Sequence, residues 1–263
     1  MIKNIFTFIV VILIIIIFIY YVLYKILFKK IFKSHDKIDL NILNLNNNIY
    51  NETNLSDNKL VILLSHYNEN LFWLKNIKYP FIISSKTEKN KTRYLSINKG
   101  NEAYTYLDYI VKYYDVLPEY TLFCHGHYID WHQRSCIDKI INTIELDKKY
   151  ININNIGIDD RYCNCNNKNY EKLVLLWDEL FLDTLGPIAE KYYDKCCAQF
   201  IVHKDRIRLR PKKFYERLIE YIINKDQGEI GYILEYIWHN IFGENPIMKY
   251  EKKILDIYRL QLY

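Results

Sequence analysis

The feature that most constrains this chain is an uncharged apolar stretch near its N-terminus. No charged residue occurs from Asn4 to Tyr24, and Thr7 is the one interruption after Ile5. About 20 apolar residues are needed to cross a hydrocarbon layer of ~30 Å, and a single segment satisfies its backbone there only as a helix. The sequence therefore predicts a protein that crosses the lipid bilayer once, with its transmembrane anchor and basic flank in residues 1–33.

The residues that end this stretch favour a retained anchor over a cleaved signal peptide. Three tyrosines lie where an interfacial aromatic belt would form, and four lysines follow between Lys25 and Lys33. A signal peptide would have a shorter apolar core and a cleavage site of small residues. The lysines place the C-terminal part in the cytosol by the positive-inside rule. The side of the membrane nevertheless stays open.

The composition is that of a folded domain without a nucleic-acid partner. Half of the 263 residues are hydrophobic and a quarter are charged, as is usual for a globular domain. The net charge of +5 is spread along the chain, and no basic run is interleaved with aromatic residues, so nucleic acid is excluded as a partner. The six cysteines permit disulfides without establishing them.

The apolar runs predict one α/β domain between a linker and a tail. We assign residues 34–58 to an Asn-rich linker, 59–245 to the domain and 246–263 to a helical tail. The continuous run Leu60–Leu64 is typical of a buried parallel strand. The alternation of short strands with helices indicates a single mixed or mostly parallel sheet flanked by helices. The patterns predict strands over 60–64, 81–84, 120–124 and 199–203, and helices over 103–117, 170–185, 211–223 and 231–242.

Two polar clusters follow predicted strands, which makes them candidate binding segments. Residues 65–69 follow the first strand, and residues 125–132 follow the strand at 120–124. Open α/β sheets bind ligands in the crevice outside the carboxyl ends of their strands. We therefore expect both clusters to lie at one crevice.

The second cluster contains four potential metal ligands within eight residues. His125 and His127 project to the same side of an extended strand end, and Asp130 and His132 could complete a shell. Imidazole-rich ligation favours Zn²⁺ or Mn²⁺ over Mg²⁺. The alternative is that these histidines form hydrogen bonds that shape a substrate crevice.

Ordered blocks of the chain resemble the fungal-type domain of unknown function 3431 family. Members of that family tend to have Gln where this chain has His125. The layout of the family is similar to that of A-type glycosyltransferases. The blocks that carry the resemblance are Leu63–Leu74, Asn98–Leu107, Leu117–His127, Ala198–His203, Arg210–Tyr215 and Leu234–Gly243.

This resemblance implies a membrane-anchored transferase that takes a sugar from a nucleotide-sugar donor to a glycan or protein acceptor. It implies that Asn68, Glu69 and His125 lie near the nucleotide. It also implies Glu235 as the catalytic base and His127 as a catalytic residue of the central crevice. Such transferases usually hold a divalent metal through an Asp-x-Asp motif, and this sequence has none.

Other interpretations stay open at each of these positions. The histidine cluster is similar to the His-x-His-x-Asp-His signature of metallo-β-lactamase-like hydrolases, although its spacing after His127 is longer, so a metal-dependent hydrolase is the second hypothesis. A catalytically inert membrane or envelope protein is the third. Asn68 would serve equally as a helix cap. Glu102 would favour the dipole at a helix N-terminus without any catalytic role. Glu235 would form an ion pair on a helix surface.

Overall fold

The chain divides into two compact units, Met1–Asp39 and Leu40–Tyr263. The computed structural model describes residues 12–23, 52–87, 94–95, 97–130, 132–133, 135–154, 162–164, 168–195, 197–226 and 228–249.

In the N-terminal unit, residues 12–23 form a helix whose side chains are apolar and exposed. Within the described ranges, no helix combines the length and the apolar character that crossing a membrane requires. The predicted anchor extends beyond the described residues on both sides of this helix. The bilayer anchor therefore stays a prediction from the sequence.

The second unit has the predicted α/β architecture, a mixed sheet flanked by helices. The sheet has six strands in the order β3-β2-β1-β4-β8-β5, and β6 pairs with β7 in a separate two-stranded sheet. Strands β1 to β4 run parallel to one another, whereas β8 is antiparallel to both β4 and β5. The strands are β1 Leu60–His66, β2 Phe81–Ser85, β3 Tyr94–Leu95, β4 Tyr120–His125, β5 Tyr150–Asn152, β6 Tyr162–Asn164, β7 Lys191–Tyr193 and β8 Phe200–His203.

Helices cover the sheet and form the rest of the core. The first of them packs on β1 and on two later helices, and the second packs on a 3₁₀-helix that follows β1. The helices are α1 Asn101–Tyr113, α2 Ile137–Thr143, α3 Lys168–Leu180, α4 Leu182–Leu185, α5 Lys204–Ile207, α6 Lys212–Asn224 and α7 Ile230–Ile241, with 3₁₀-helices at Glu52–Asp57 and Phe72–Asn76.

Strand β1 is buried along its whole length, as its continuous apolar run predicts. Val61 and Leu63 belong to the main core cluster. Ile62 and Leu64 point to the opposite face, because side chains alternate along a strand, and they are buried there too. A strand covered on both faces gains burial from every side chain, which is why this strand needs no polar alternation.

An aromatic cluster joins the sheet to its helical layer. Tyr106 of α1 contacts Phe123 of β4 and Phe200 of β8, and Phe200 contacts Trp238 of α7. Trp238 and Phe242 are stacked with ring centroids 5.8 Å apart. Each such pair contributes about 0.5–1.5 kcal/mol beyond the burial of its area, so this cluster fixes α1 and α7 on one face of the sheet.

The domain boundaries differ from the predicted ones at both ends. Leu55, placed in the linker by the sequence, is 3% exposed and belongs to the main core, so the folded domain begins before residue 59. The predicted tail is not helical where it starts, because Pro246 and Met248 bond to the backbone of Tyr193 in β7. The residues from 250 onward lie outside the described part of the chain.

Helix α7 meets the start of α1 backbone to backbone. A Cβ atom on Gly231 would lie 2.9 Å from the carbonyl oxygen of Gly100 and 3.1 Å from Cβ of Asn101. Glu235 follows Gly231 by four residues and therefore lies on the same face of the helix. The close approach at Gly231 thus carries Glu235 toward the N-terminal end of α1.

We expect Gly231→Ala to lower the free energy of unfolding of the full-length chain by about 1–3 kcal/mol, because the added methyl group meets rigid backbone. Urea denaturation measures the change. Glu216→Ala, on an exposed position of α6, is the control and should stay within about 0.5 kcal/mol of the unmodified chain. A more stable Gly231→Ala variant would contradict the close approach.

Candidate active site

The loops after β1 and β4 open on the same side of the sheet. The two strands are parallel neighbours, with Ser65 paired to His125. The indole nitrogen of Trp73, in the 3₁₀-helix after β1, donates a hydrogen bond of 3.0 Å to the carbonyl oxygen of Gly126. A Cβ atom on Gly126 would lie 2.9 Å from Cβ of Glu69. The two polar clusters predicted at strand ends therefore pack against each other.

The strand order reverses at this point, since β2 and β3 extend from one side of β1 and β4 begins the other side. Such a switch point leaves a crevice between the two loops. A cavity of about 450 Å³ opens there. It is lined by Ser65, His66, Tyr67, Glu69, Lys86, Asn98, Asn101, Glu102, His125, His127, Asp130, His132, Cys197, Tyr232 and Glu235.

The structure brings together nearly all the residues that the sequence singled out. Glu69, Glu235 and the four residues of the histidine cluster line this cavity. Asn68 is exposed and is not among the lining residues. The predicted cap is not formed by Asn68 either, because Asn70 accepts the hydrogen bond from the amide of Phe72 at the start of the 3₁₀-helix.

The Glu69 carboxylate holds its own loop in place. One of its oxygens, Oε2, accepts hydrogen bonds from the amides of Tyr67 at 2.7 Å and Asn68 at 3.1 Å. The other, Oε1, lies 3.6 Å from Nε2 of His127. Glu69 therefore shapes the rim of the cavity and places a negative charge beside His127.

His66 is a positioning residue that the sequence analysis did not single out. Its Nε2 lies 3.1 Å from the carbonyl oxygen of Glu69 and its Nδ1 lies 3.0 Å from the hydroxyl of Ser85. A carbonyl oxygen only accepts, so Nε2 carries the hydrogen and Nδ1 accepts from Ser85. The ring thus ties the loop after β1 to the end of β2.

A buried amide network orients His132. The side-chain nitrogen of Gln199 lies 2.9 Å from Gln133 Oε1, 3.1 Å from Asn154 Oδ1 and 3.3 Å from His132 Nδ1. An amide has two hydrogens, which the two shorter contacts take. Nδ1 of His132 then carries the hydrogen that it donates to Asn154 Oδ1 at 3.1 Å, and Nε2 presents a lone pair. The same Gln199 accepts a hydrogen bond from the amide of His125.

Asp130 lies between two imidazoles. Its Oδ2 is 3.3 Å from Nε2 of His132 and 3.6 Å from Nε2 of His127. A proton or a metal ion between Oδ2 of Asp130 and Nε2 of His132 would make this approach attractive. Within the part of the chain that the structure describes, no group of three or more His, Cys, Asp or Glu residues is placed to hold a metal ion.

Glu102 and His125 face each other without a bond. Nε2 of His125 is 3.9 Å from Oε2 of Glu102, which is too long for a hydrogen bond, and the two side chains are only 19% and 12% exposed. Neither Oε1 of Glu102 nor Nε2 of His125 has a hydrogen-bond partner among the described residues. Burial, and then the nearby His132 and His127, lower the pKa of His125 to about 3, so its imidazole is neutral at pH 7.

Glu102 has an unusually high pKa for a carboxyl group. Burial, reinforced by the neighbouring Glu235 carboxylate, raises the pKa of Glu102 to about 8. Burial also lowers the pKa of Lys86, against the opposing effect of the Glu102 and Glu69 carboxylates. Two carboxylates from different helices thus meet in one cavity, an arrangement that commonly separates a proton-holding group from an ionised one.

The position of Lys86 in the sequence could have predicted it as a residue of the cavity. Lys86 directly follows β2, and the rule that singled out the ends of β1 and β4 applies equally to this strand end. For Glu102, the sequence predicts a carboxylate that complements the dipole of α1. Its position at the N-terminus of α1 is as expected, but its neighbour Glu235 lies 133 positions along the chain and could not be paired with it from spacing.

The predictions about cysteines concern both described and undescribed residues. Cys124, Cys136 and Cys197 are free thiols. The backbone of Cys163 lies in β6, whereas Cys165 and Cys196 fall outside the described ranges.

The fold and the cavity define a class of α/β protein with a polar cavity at the switch point of a mixed sheet. The model of a family described as a protein of unknown function, DUF3431, matches residues 61–254. The chain belongs to this family. No curated protein matches the chain, and no solved structure matches it.

We expect Glu102→Gln to stabilise the folded chain increasingly as the pH rises from about 4.5 to 8. The raised pKa means that the folded state favours protonated Glu102, so the native carboxyl loses stability through that window, by about 1.4 kcal/mol for each pKa unit at most. Glutamine does not ionise. Urea denaturation of both chains at several pH values measures the difference.

Glu216→Gln, at an exposed position, is the matched control and should change the free energy of unfolding by less than about 0.5 kcal/mol at every pH. If Glu102→Gln and Glu216→Gln showed the same flat difference from pH 4.5 to 8, the raised pKa of Glu102 would be disproved.

Proposed function

We propose that this protein is a glycosyltransferase-like enzyme that transfers a sugar from a nucleotide-sugar donor to a hydroxyl group of a glycan or protein acceptor. The observation that carries the proposal is the polar cavity at the switch point between β1 and β4, where open α/β sheets bind their ligands. Its volume of about 450 Å³ lies within the roughly 300–1,000 Å³ of small-molecule sites. The proposal that this enzyme is anchored in a membrane rests on the sequence alone.

The lining of the cavity suits a hydroxyl-rich ligand. It combines carboxylates, imidazoles, amides and a hydroxyl, which donate and accept the hydrogen bonds that sugar hydroxyls need. The polar loops after two parallel strands and the late Glu235 also follow the layout that the resemblance to A-type glycosyltransferases implies. These features support a sugar substrate over an apolar one.

The charges of the cavity require a cation if a diphosphate is to enter. The described lining residues include four carboxyl groups, Glu69, Glu102, Asp130 and Glu235, of which Glu102 has a pKa raised to about 8, against one lysine, Lys86. A nucleoside diphosphate adds further negative charge to this low-dielectric space, which is costly without compensation. A divalent ion that arrives with the donor would supply that compensation, and would offset the charge that develops on the departing diphosphate.

Asp130, with either His127 or His132, would hold such an ion. Oδ2 of Asp130 lies 3.6 Å from Nε2 of His127 and 3.3 Å from Nε2 of His132. Two atoms within about 4 Å of each other can both reach one ion over bonds of about 2.0–2.2 Å. A pair of protein ligands leaves the rest of the ion's shell to the substrate phosphates and water.

The same geometry disfavours the two other hypotheses. A metal-dependent hydrolase keeps its ion with three protein ligands, and among the described residues no such group occurs. Glu102 and His125 each have a buried atom without a partner in the described structure, and both side chains line the cavity. A ligand in the cavity would supply the missing bonds, which favours a binding protein over an inert one.

We expect UDP or GDP together with Mn²⁺ to raise the melting temperature of the full-length chain. Ligand that binds only the folded state stabilises it by about 2.7 kcal/mol at a concentration 100 times its dissociation constant. Asp130→Asn should remove most of the increase, because it removes a charged ligand of the ion. Differential scanning fluorimetry with and without Mn²⁺ measures both effects.

Asp178→Asn, at an exposed position of α3 outside the cavity, is the matched control and should keep the full increase. The absence of any increase at millimolar nucleotide would sink the transferase proposal. The hydrolase would be favoured instead if the purified chain contained stoichiometric zinc, if His127→Ala lost that zinc, and if nucleotide did not change zinc binding.

A further inference from the structure

The gap between Glu102 and His125 has the dimensions of a subsite for one hydroxyl group. Oε2 of Glu102 and Nε2 of His125 are 3.9 Å apart, and an oxygen placed beside the pair could lie about 2.7–2.9 Å from both atoms. A hydroxyl has one hydrogen to donate and lone pairs to accept. A hydroxyl group can therefore bond to a carboxyl and an imidazole at once.

The surroundings of the gap support a ligand rather than an internal bond. Both side chains line the cavity. Each has a buried atom, Oε1 of Glu102 and Nε2 of His125, that lacks a hydrogen-bond partner within the described structure. Leaving two such atoms unbonded costs about 1–3 kcal/mol each, and one incoming hydroxyl beside the pair would relieve part of that cost.

We propose that Glu102 and His125 hold the acceptor hydroxyl between them and that Glu102, not Glu235, takes its proton. The part of this inference that concerns the proton rests on the proposed function, whereas the hydroxyl subsite does not. Glu235 then acts through its charge on Glu102, to which it is brought by the close packing of α7 on α1.

The acceptor O–H bond breaks and its proton passes to the carboxylate of Glu102. The acceptor oxygen forms a bond to the anomeric carbon of the donor. The bond from that carbon to the nucleoside diphosphate breaks, and the diphosphate leaves with the electron pair. His125 keeps the acceptor oxygen in place throughout this step.

The first arm of the test measures the hydroxyl subsite without any nucleotide. Glucose, galactose and mannose at millimolar concentration are titrated calorimetrically into the full-length chain. At least one hexose should bind, His125→Leu should weaken it about tenfold or more, and His125→Gln should bind as the unmodified chain does, because an amide also donates and accepts. If no hexose binds, or if His125→Leu binds equally well, the subsite is overturned.

The second arm separates the two carboxylates by turnover, measured as release of nucleoside diphosphate from UDP-sugars or GDP-sugars with Mn²⁺. Glu102→Gln should lower kcat by about 10²–10⁴-fold, the usual contribution of a general base, while the melting increase with nucleotide and Mn²⁺ is retained. Glu235→Gln removes the charge that helps to raise the pKa of Glu102, so it should lower kcat less than Glu102→Gln does and should move the rise of kcat with pH to lower pH. A loss of kcat in Glu235→Gln with turnover retained in Glu102→Gln would overturn the assignment of the base.

The two arms also distinguish this inference from the proposed function. One outcome is that hexose binding depends on His125 but no nucleotide changes the stability of the chain. This outcome would support the hydroxyl subsite and contradict both the transferase proposal and the proton transfer to Glu102. A nucleotide-dependent melting increase with no hexose binding, and with turnover unaffected by Glu102→Gln, would keep the transferase and reject the Glu102–His125 pair.

Discussion

The pairing of β1 with β4 is the constraint on which the rest of the structure depends. These parallel strands are adjacent although about 55 residues separate them, and the hydrogen bond from Trp73 to Gly126 joins the loops that follow them. If β4 lay elsewhere in the sheet, the histidine cluster and Glu69 would open at different places. Because the strands are neighbours at the reversal of strand order, two loops of polar side chains share one crevice.

That crevice is costly for the fold. It gathers carboxylates and imidazoles in a space where burial is the largest cause that raises the pKa of Glu102 and lowers that of His125. The aromatic cluster around Phe200 and Trp238, together with the fully buried strand β1, offsets this cost. Unfavourable polar groups held by a well-packed core are typical of functional sites.

The parts of the fold that the sequence predicted are those with strong local signals. The apolar run at β1 and the helical spacing in α1, α6 and α7 were sufficient, because burial decides these elements locally. Strands β5, β6 and β7 have three residues each and were missed, since their pairing depends on partners distant in the sequence. The predicted helix at 170–185 is interrupted at Phe181, where the chain turns between α3 and α4.

The site follows the same division. Residues 125–132 could be recognised because four candidate ligands occur close together in the sequence. Glu102 could not be paired with Glu235 in that way, because their meeting depends on a glycine, Gly231, that lets α7 touch the backbone of α1. Gly231 is the second residue of α7, and a Cβ atom there would lie 2.9 Å from the carbonyl oxygen of Gly100. The close packing at Gly231 therefore brings together Glu102 and Glu235, a pair that their spacing in the sequence does not predict.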